Sequence, residues 1–201
     1  MPGRSVVWER SAVADRRASA IDSVASRPEA GQTVSDAHLE ITRRLYEYAL
    51  GIDTRDWQLY RSIFTDEVRM DFSSYSGSPA GTMTADAWVA GCRPLFEGLD
   101  ATQHSMTNPM VDIDPGGDTA RCRMYMQAEH FLANAAGDPG FALGGYYDDA
   151  LVRTPTGWRI RAVTLKVFWN RGNRHIMALA AEKGARLLAL GERGPDAART
   201  G

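Results

Sequence analysis

Four histidines, His38, His104, His130 and His175, carry the side chain whose ordinary pKa best suits proton transfer near neutrality. His104 stands in TQHSMTN, at the start of a strand-like stretch. By type alone it is either a structural or surface histidine or a general base. Asp53, in ALGIDTRDW, is either a turn or capping aspartate or the carboxylate that orients such a histidine. Together the two would make a base: the carboxylate holds one ring nitrogen, fixes the tautomer and stabilises the imidazolium formed when the other nitrogen takes a proton. Fifty-one residues separate them (104 − 53), so only tertiary folding could join them. His130 has local support. In 119–132 the alternation puts Arg121, Arg123, Tyr125, Gln127 and Glu129 on one side, and Cys122, Met124, Met126, Ala128 and His130 on the apolar other. A histidine there is a hydrogen-bonded core residue or a polar group aimed into a ligand cavity, with Met126 as a wall. Tyr48, Tyr146 and Tyr147 are candidate acids or hydrogen-bond donors, or ordinary packing with a wet hydroxyl; Asn108 and Trp169 are candidate pocket walls.

Other chemistries lack their residues. The chain has no GxGxxG, GxxxxGK[ST], HExxH or GxSxG. Its histidines do not fall at metal-ligand spacing with cysteines or carboxylates, and adjacent Glu129 and His130 point to opposite faces of a strand. Cys92 and Cys122 form neither a CxxC nor a disulfide framework and read as buried thiols in a reducing compartment. The expectation is therefore a cofactor-free site without metal. Twenty-three basic against 25 acidic residues leave a net charge of −2, so no basic excess exists to neutralise phosphates, and nucleic acid is not an expected partner. No apolar run approaches the ~20 residues of a membrane span. The N-terminus lacks the apolar segment of a secretory signal, and Glu9, Asp15 and Asp22 argue against a transit peptide, so a cytoplasmic location is expected.

The elements that must position these residues run in a clear order. Residues 1–33 read as a tail, flexible or with a short helix across SAVADRRASAIDSVA; 34–190 form one domain; 191–201 form a second tail. Ser35 is the expected N-cap of a first helix, with Val34 stapled onto Leu39, an apolar face of Leu39, Thr42, Leu45, Tyr46 and Ala49, and Gly51 as its end. A second helix starts at the cap Asp56, with Trp57, Tyr60, Ile63 and Phe64 on its apolar side. A strand follows over 68–72, then a third helix capped by Thr84 and limited or kinked by Pro94. Four long antiparallel strands are expected at roughly 104–113, 119–132, 141–153 and 157–169, before a final Ala/Leu-rich helix. Helices followed by a run of strands predict α+β architecture: a curved mixed or antiparallel sheet closed at one end by the N-terminal helices around a cavity.

The stretches LYEYALGIDTRDWQLYRSIFTDEVRMDF, TQHSMTNPMVDIDPGGDTARCRMYMQAEHFL and GGYYDDALVRTPTGWRIRAVTLKVFWNRG, taken in this order, resemble the SnoaL-like branch of the NTF2-like superfamily over about residues 36–172. Within that branch they are similar to scytalone dehydratase, hexachlorocyclohexane dehydrochlorinase and bile-acid 7α-dehydratase, cofactor-free lyases on an α+β cone. The resemblance implies Asp53 and His104 as an Asp–His general base. It also implies His130 as a second site histidine and Tyr48 as the tyrosine placed before the aspartate. Phe72 falls where scytalone dehydratase carries a catalytic tyrosine. The expected function is a cofactor-independent lyase or isomerase acting on a hydrophobic cyclic small molecule. His130, with Tyr48 or Tyr147, would polarise a carbonyl or protonate a leaving hydroxyl. Two alternatives stand beside it: a non-catalytic binding or assembly module, and a β-subunit-like partner of a ring-hydroxylating oxygenase. The resemblance further implies a trimer or dimer formed through the open sheet face, where Arg121, Arg123, Tyr125, Gln127 and Glu129 would point.

Overall fold

A computed structural model of the chain describes residues 33–135 and 137–192. The expected N-terminal tail helix and most of the C-terminal tail lie outside the described residues. The elements run α1 (Val34–Asp53), α2 (Trp57–Ser62), β1 (Phe64–Asp71), α3 (Ser73–Ser76), β2 (Gly81–Thr84), α4 (Ala85–Gly98), β3 (Ala101–Ile113), β4 (Thr119–Phe131), β5 (Gly140–Thr154), β6 (Gly157–Gly172) and α5 (Ile176–Ala189). The fold is α+β, as expected. The six strands form one mixed sheet in the order β2-β1-β6-β5-β4-β3. Only the β1–β6 pair is parallel; β3 to β6 form the antiparallel meander that the alternation predicts. The short α3 and β2 carry too little periodicity to be expected from sequence.

The cap of α1 lies two residues before the expected Ser35. Thr33 accepts from the Asp36 backbone N–H through Oγ1 (3.1 Å) while Asp36 reaches back to the Thr33 N–H (3.3 Å), a complete capping box. Thr33, read as the last tail residue, thus belongs to the domain. The apolar stripe is rotated from the expected one: Ala37, Ile41, Leu45, Tyr48, Ala49 and Ile52 are buried, whereas Leu39 and Tyr46 are exposed and Val34 forms no staple with Leu39. Gly51 does not end the helix. A Cβ there would stand 2.9 Å from the Tyr60 Cβ, so the glycine permits α1 and α2 to touch, and the helix continues to Asp53. Asp56 caps α2 and Thr84 caps α4 as expected. Helix α4 runs through Pro94 to Gly98.

The inner sheet face and the helices enclose the core, which includes Tyr48, Tyr60, Phe64, Met124, Trp158 and Ile160. In β4 the observed burial alternates as the sequence reading requires, with Cys122, Met124, Met126, Ala128 and His130 inward.

Candidate active site

Two connections bring Asp53 to His104. Asp53 is the last residue of α1 and His104 lies near the start of β3, the strand against which α1 packs. Asp53 Oδ2 accepts from the His104 backbone N–H at 2.7 Å, and Asp53 Oδ1 lies 2.7 Å from His104 Nδ1. A carboxylate can only accept, so Nδ1 carries a proton, and in the neutral ring it is Nε2 that holds the lone pair. The same carboxylate thus holds both the backbone and the ring. Arg55 braces this arrangement in a way sequence did not reveal. Buried and at φ 57°, it donates to the carbonyls of Asp53 (2.6 Å), Phe96 (3.2 Å) and Leu99 (3.3 Å), tying the end of α1 to the end of α4. Its position beside a turn aspartate looks like solvent-exposed sequence, and only the fold shows which carbonyls converge on it.

His104 opens onto a cavity of about 160 Å³, whose walls include Tyr48, Phe72, Met126, His130 and Tyr147. Of the residues singled out from sequence, these five and His104 meet in one place, with Asp53 behind His104. The His104 and His130 rings are 5.8 Å apart, edge to face, and Phe96 packs on both. His130 Nδ1 lies 3.1 Å from the Phe141 carbonyl, which can only accept, so its Nε2 is also unprotonated. Burial, and then the neighbouring His104, pull its pKa down to about 4. His130 is therefore neutral near pH 7 and offers the cavity an acceptor; the expected donor role does not fit it. Burial raises Tyr48, Tyr60 and Tyr147 above the ordinary tyrosine range, so their hydroxyls stay protonated.

Three expected wall residues lie elsewhere. Tyr146 follows the opposite parity to Tyr147 and stacks against Phe168 and under Arg123 on the outer sheet face. Trp169 is on that outer face too, lying on Gly144, where a Cβ would come within 2.4 Å of the indole. Asn108 sits at φ 57° in a bulge that interrupts the β3–β4 register between Thr107 and Met110, exposed on the edge strand. The walls that sequence missed come chiefly from helices: Trp88, Cys92, Leu95 and Phe96 from α4, Tyr60 from α2 and Met177 from α5. Their apolar spacing signals a buried face without saying that part of it borders a void. Among the described residues no group of three His, Cys, Asp or Glu side chains is placed to hold a metal ion, and no helix is long and apolar enough to cross a membrane.

An uncharacterized protein of Mycobacterium tuberculosis is 32% identical over 139 residues, covering 67% of this chain and 88% of that protein. The crystal structure of a Kribbella flavida protein superposes with a TM-score of 0.69 at 30% identity, covering 73% of this chain and 99% of that one. Hexachlorocyclohexane dehydrochlorinase superposes with a TM-score of 0.56, covering 66% of this chain and 86% of that one, and at 13% identity this is a likeness of fold. Residues 33–164, which hold Asp53, His104, His130 and the whole inner sheet face up to Thr164, match the SnoaL-like domain, and the chain belongs to that family.

Proposed function

We propose that the protein is a cofactor-independent lyase or isomerase that removes a proton from a small hydrophobic ring. The observation that carries this reading is the Asp53–His104 pair, 2.7 Å apart, with its free Nε2 at the wall of an aromatic cavity. His104 takes a proton from carbon next to an activating group such as a carbonyl, and Asp53 stabilises the imidazolium. A positioned base of this kind contributes roughly 10²–10⁴-fold. The apolar walls exclude water and strengthen the ion pair that forms. The size of the cavity supports a monocyclic substrate, since an apolar cavity of ~150 Å³ accommodates benzene. The fold likeness to a dehydrochlorinase of a cyclohexane agrees with ring chemistry. We further propose that copies of the chain associate through the outer sheet face.

The test is deuterium exchange at the α-carbon of cyclohexanone in D₂O, followed by proton NMR. The wild type accelerates exchange, and His104→Ala and Asp53→Asn each lower that acceleration by at least about 10²-fold. An exchange rate that His104→Ala leaves unchanged, with the ketone still bound, refutes the base and supports a binding module instead.

A further inference from the structure

Two helices end beside Arg55. Helix α1 stops at Asp53 and α4 at Gly98, and each end leaves backbone carbonyls that the helix itself cannot satisfy. The Trp57 N–H, which would reach back to the Asp53 carbonyl if α1 continued, donates to the Arg55 carbonyl instead (3.1 Å). The Asp100 N–H, which would reach the Phe96 carbonyl if α4 continued, donates to the Phe131 carbonyl (2.8 Å). Arg55 takes up the two carbonyls so released, through Nη1 and Nε, and that of the α4 cap Leu99 through Nη2. One cation therefore serves the negative ends of two helix dipoles.

Two features make this more than a tie between helices. The first is strain. Arg55 sits at φ 57°, in the left-handed region that glycine adopts freely, and its long charged side chain is buried. Such strain persists where the surroundings over-determine a residue, and it clusters at functional sites. The second is what the guanidinium holds. Asp53, whose carbonyl receives the shortest of the three bonds, also carries the carboxylate that binds the His104 ring and backbone. Phe96 has its ring centroid 6.1 Å from that of His104 and 6.4 Å from that of His130. The fork of Arg55 thus fixes where α1 delivers the carboxylate relative to where α4 delivers the aromatic wall, and His104 meets both.

We propose that Arg55 is a positioning residue for the Asp53–His104 base: its planar fork holds the Asp53 backbone to the Phe96 and Leu99 carbonyls and so sets the carboxylate on the His104 ring. The proposal rests on the reading of His104 as the base. A lysine would keep the charge but bring a single nitrogen, which cannot serve carbonyls on two helices in the fixed geometry of a fork. A misplacement of about 1 Å away from the chemistry costs roughly 10²-fold. The loss falls on turnover rather than on substrate binding, because Arg55 does not line the cavity.

The test compares Arg55→Lys and Arg55→Gly with the wild type, as whole chains, in α-deuterium exchange of cyclohexanone well below their unfolding temperatures. Both variants are expected to lower kcat about 10²-fold and to leave KM within about twofold. Glycine accepts φ 57° without strain and leaves the space of the guanidinium, so millimolar guanidinium chloride restores part of the rate lost in Arg55→Gly, and urea at the same concentration does not. Trp57→Phe removes a neighbouring tie to α4, from the indole N–H to Glu97 Oε1 (2.8 Å), and is expected to lower stability without changing kcat. Proton NMR reads the geometry without turnover. The His104 Nδ1–H resonance, assigned by its loss in His104→Ala, is expected downfield in the wild type and shifted upfield or absent in Arg55→Lys. If Arg55→Lys changes this resonance while the wild type exchanges no cyclohexanone, the reading of the base fails and that of Arg55 stands. An Arg55→Lys protein that keeps both the resonance and kcat overturns the proposal. So does a loss of kcat that Trp57→Phe matches, an Arg55→Gly protein that guanidinium leaves unchanged, or a failure of both Arg55 variants to fold, which would make Arg55 a structural tie only.

Discussion

Two histidines 5.8 Å apart share a wall of one cavity yet differ in what surrounds them. His104 is held by a carboxylate, which fixes its tautomer. His130 is buried and faces a second histidine; the Phe141 carbonyl, Asp53 and Glu129 offset these effects only in part. This has a consequence for stability. In the unfolded chain His130 binds a proton below about pH 6.5, whereas in the fold it does so only below about 4. The unfolded state therefore takes up the extra proton between these values. The contribution of neutral His130 is complete above about pH 6.5 and is lost as pH falls toward 4, by about 3 kcal/mol in all. His130→Gln keeps a donor for the Phe141 carbonyl and has no proton to gain. Urea unfolding at pH 7 and pH 4.5 is expected to show a smaller acid loss for the variant, and equal losses in both proteins would exclude the account. His130 was legible at this scale because β4 alternates cleanly. Tyr146 and Tyr147 were not separable, because FALGG before them is buried on both faces and carries no parity.

Helix ends and crossings decide where these side chains go. Cap residues and short apolar periods announced α2 and α4, and α1 with its cap misplaced by two residues, but the exact stripe of α1 depended on what it packs against, which no single helix records. Glycine was the residue most easily misread. Gly51 looks like a terminator and is a contact; Gly98 and Gly184 look like helix weakness and are a crossing. A Cβ on Gly184 would stand 1.8 Å from the Pro94 carbonyl oxygen, and one on Gly98 would stand 1.8 Å from that of Ala180. The α4 and α5 backbones therefore meet directly, which presses Met177 of α5 onto the cavity beside the α4 walls. Gly184→Ala cannot be absorbed by a side-chain rotation, because the atom it meets is backbone. The helices must separate, at a cost of roughly 1–3 kcal/mol. Thermal unfolding is expected to fall by several degrees, and bound cyclohexanone is expected to exchange faster as the cavity loosens. A variant of unchanged stability would show that the crossing is looser than these distances indicate.

At the scale of the whole domain, the sheet separates two kinds of surface. Its inner face makes the core and the cavity, and alternation in sequence revealed this. Its outer face was expected to be a row of polar residues available for association, and it is more apolar than that row. Phe168 is 64% exposed, Tyr125 49%, Phe131 44% and Trp169 41%, and Arg123 and Arg171 lie over neighbouring rings. The β6 aromatics were hard to place because register shifts in β5–β6, one of them between Gly144 and Gly145, break the two-residue period. An aromatic centre rimmed by the Arg121–Asp148 and Arg171–Glu129 ion pairs has the composition of a protein interface, with aromatic residues and arginine inside a polar rim. Sedimentation of the wild type at micromolar concentration is expected to show a closed dimer or trimer, whose symmetry would bury this face on every copy. Phe168→Ser combined with Trp169→Ser removes the two exposed β6 aromatics without touching the inner wall, and is expected to give monomer with an intact far-ultraviolet spectrum. If the double variant sediments like the wild type, the copies meet elsewhere. If it is monomeric and still exchanges the α-protons of cyclohexanone at the wild-type rate, each copy contains a complete site, as the Asp53–His104 pair within a single chain requires.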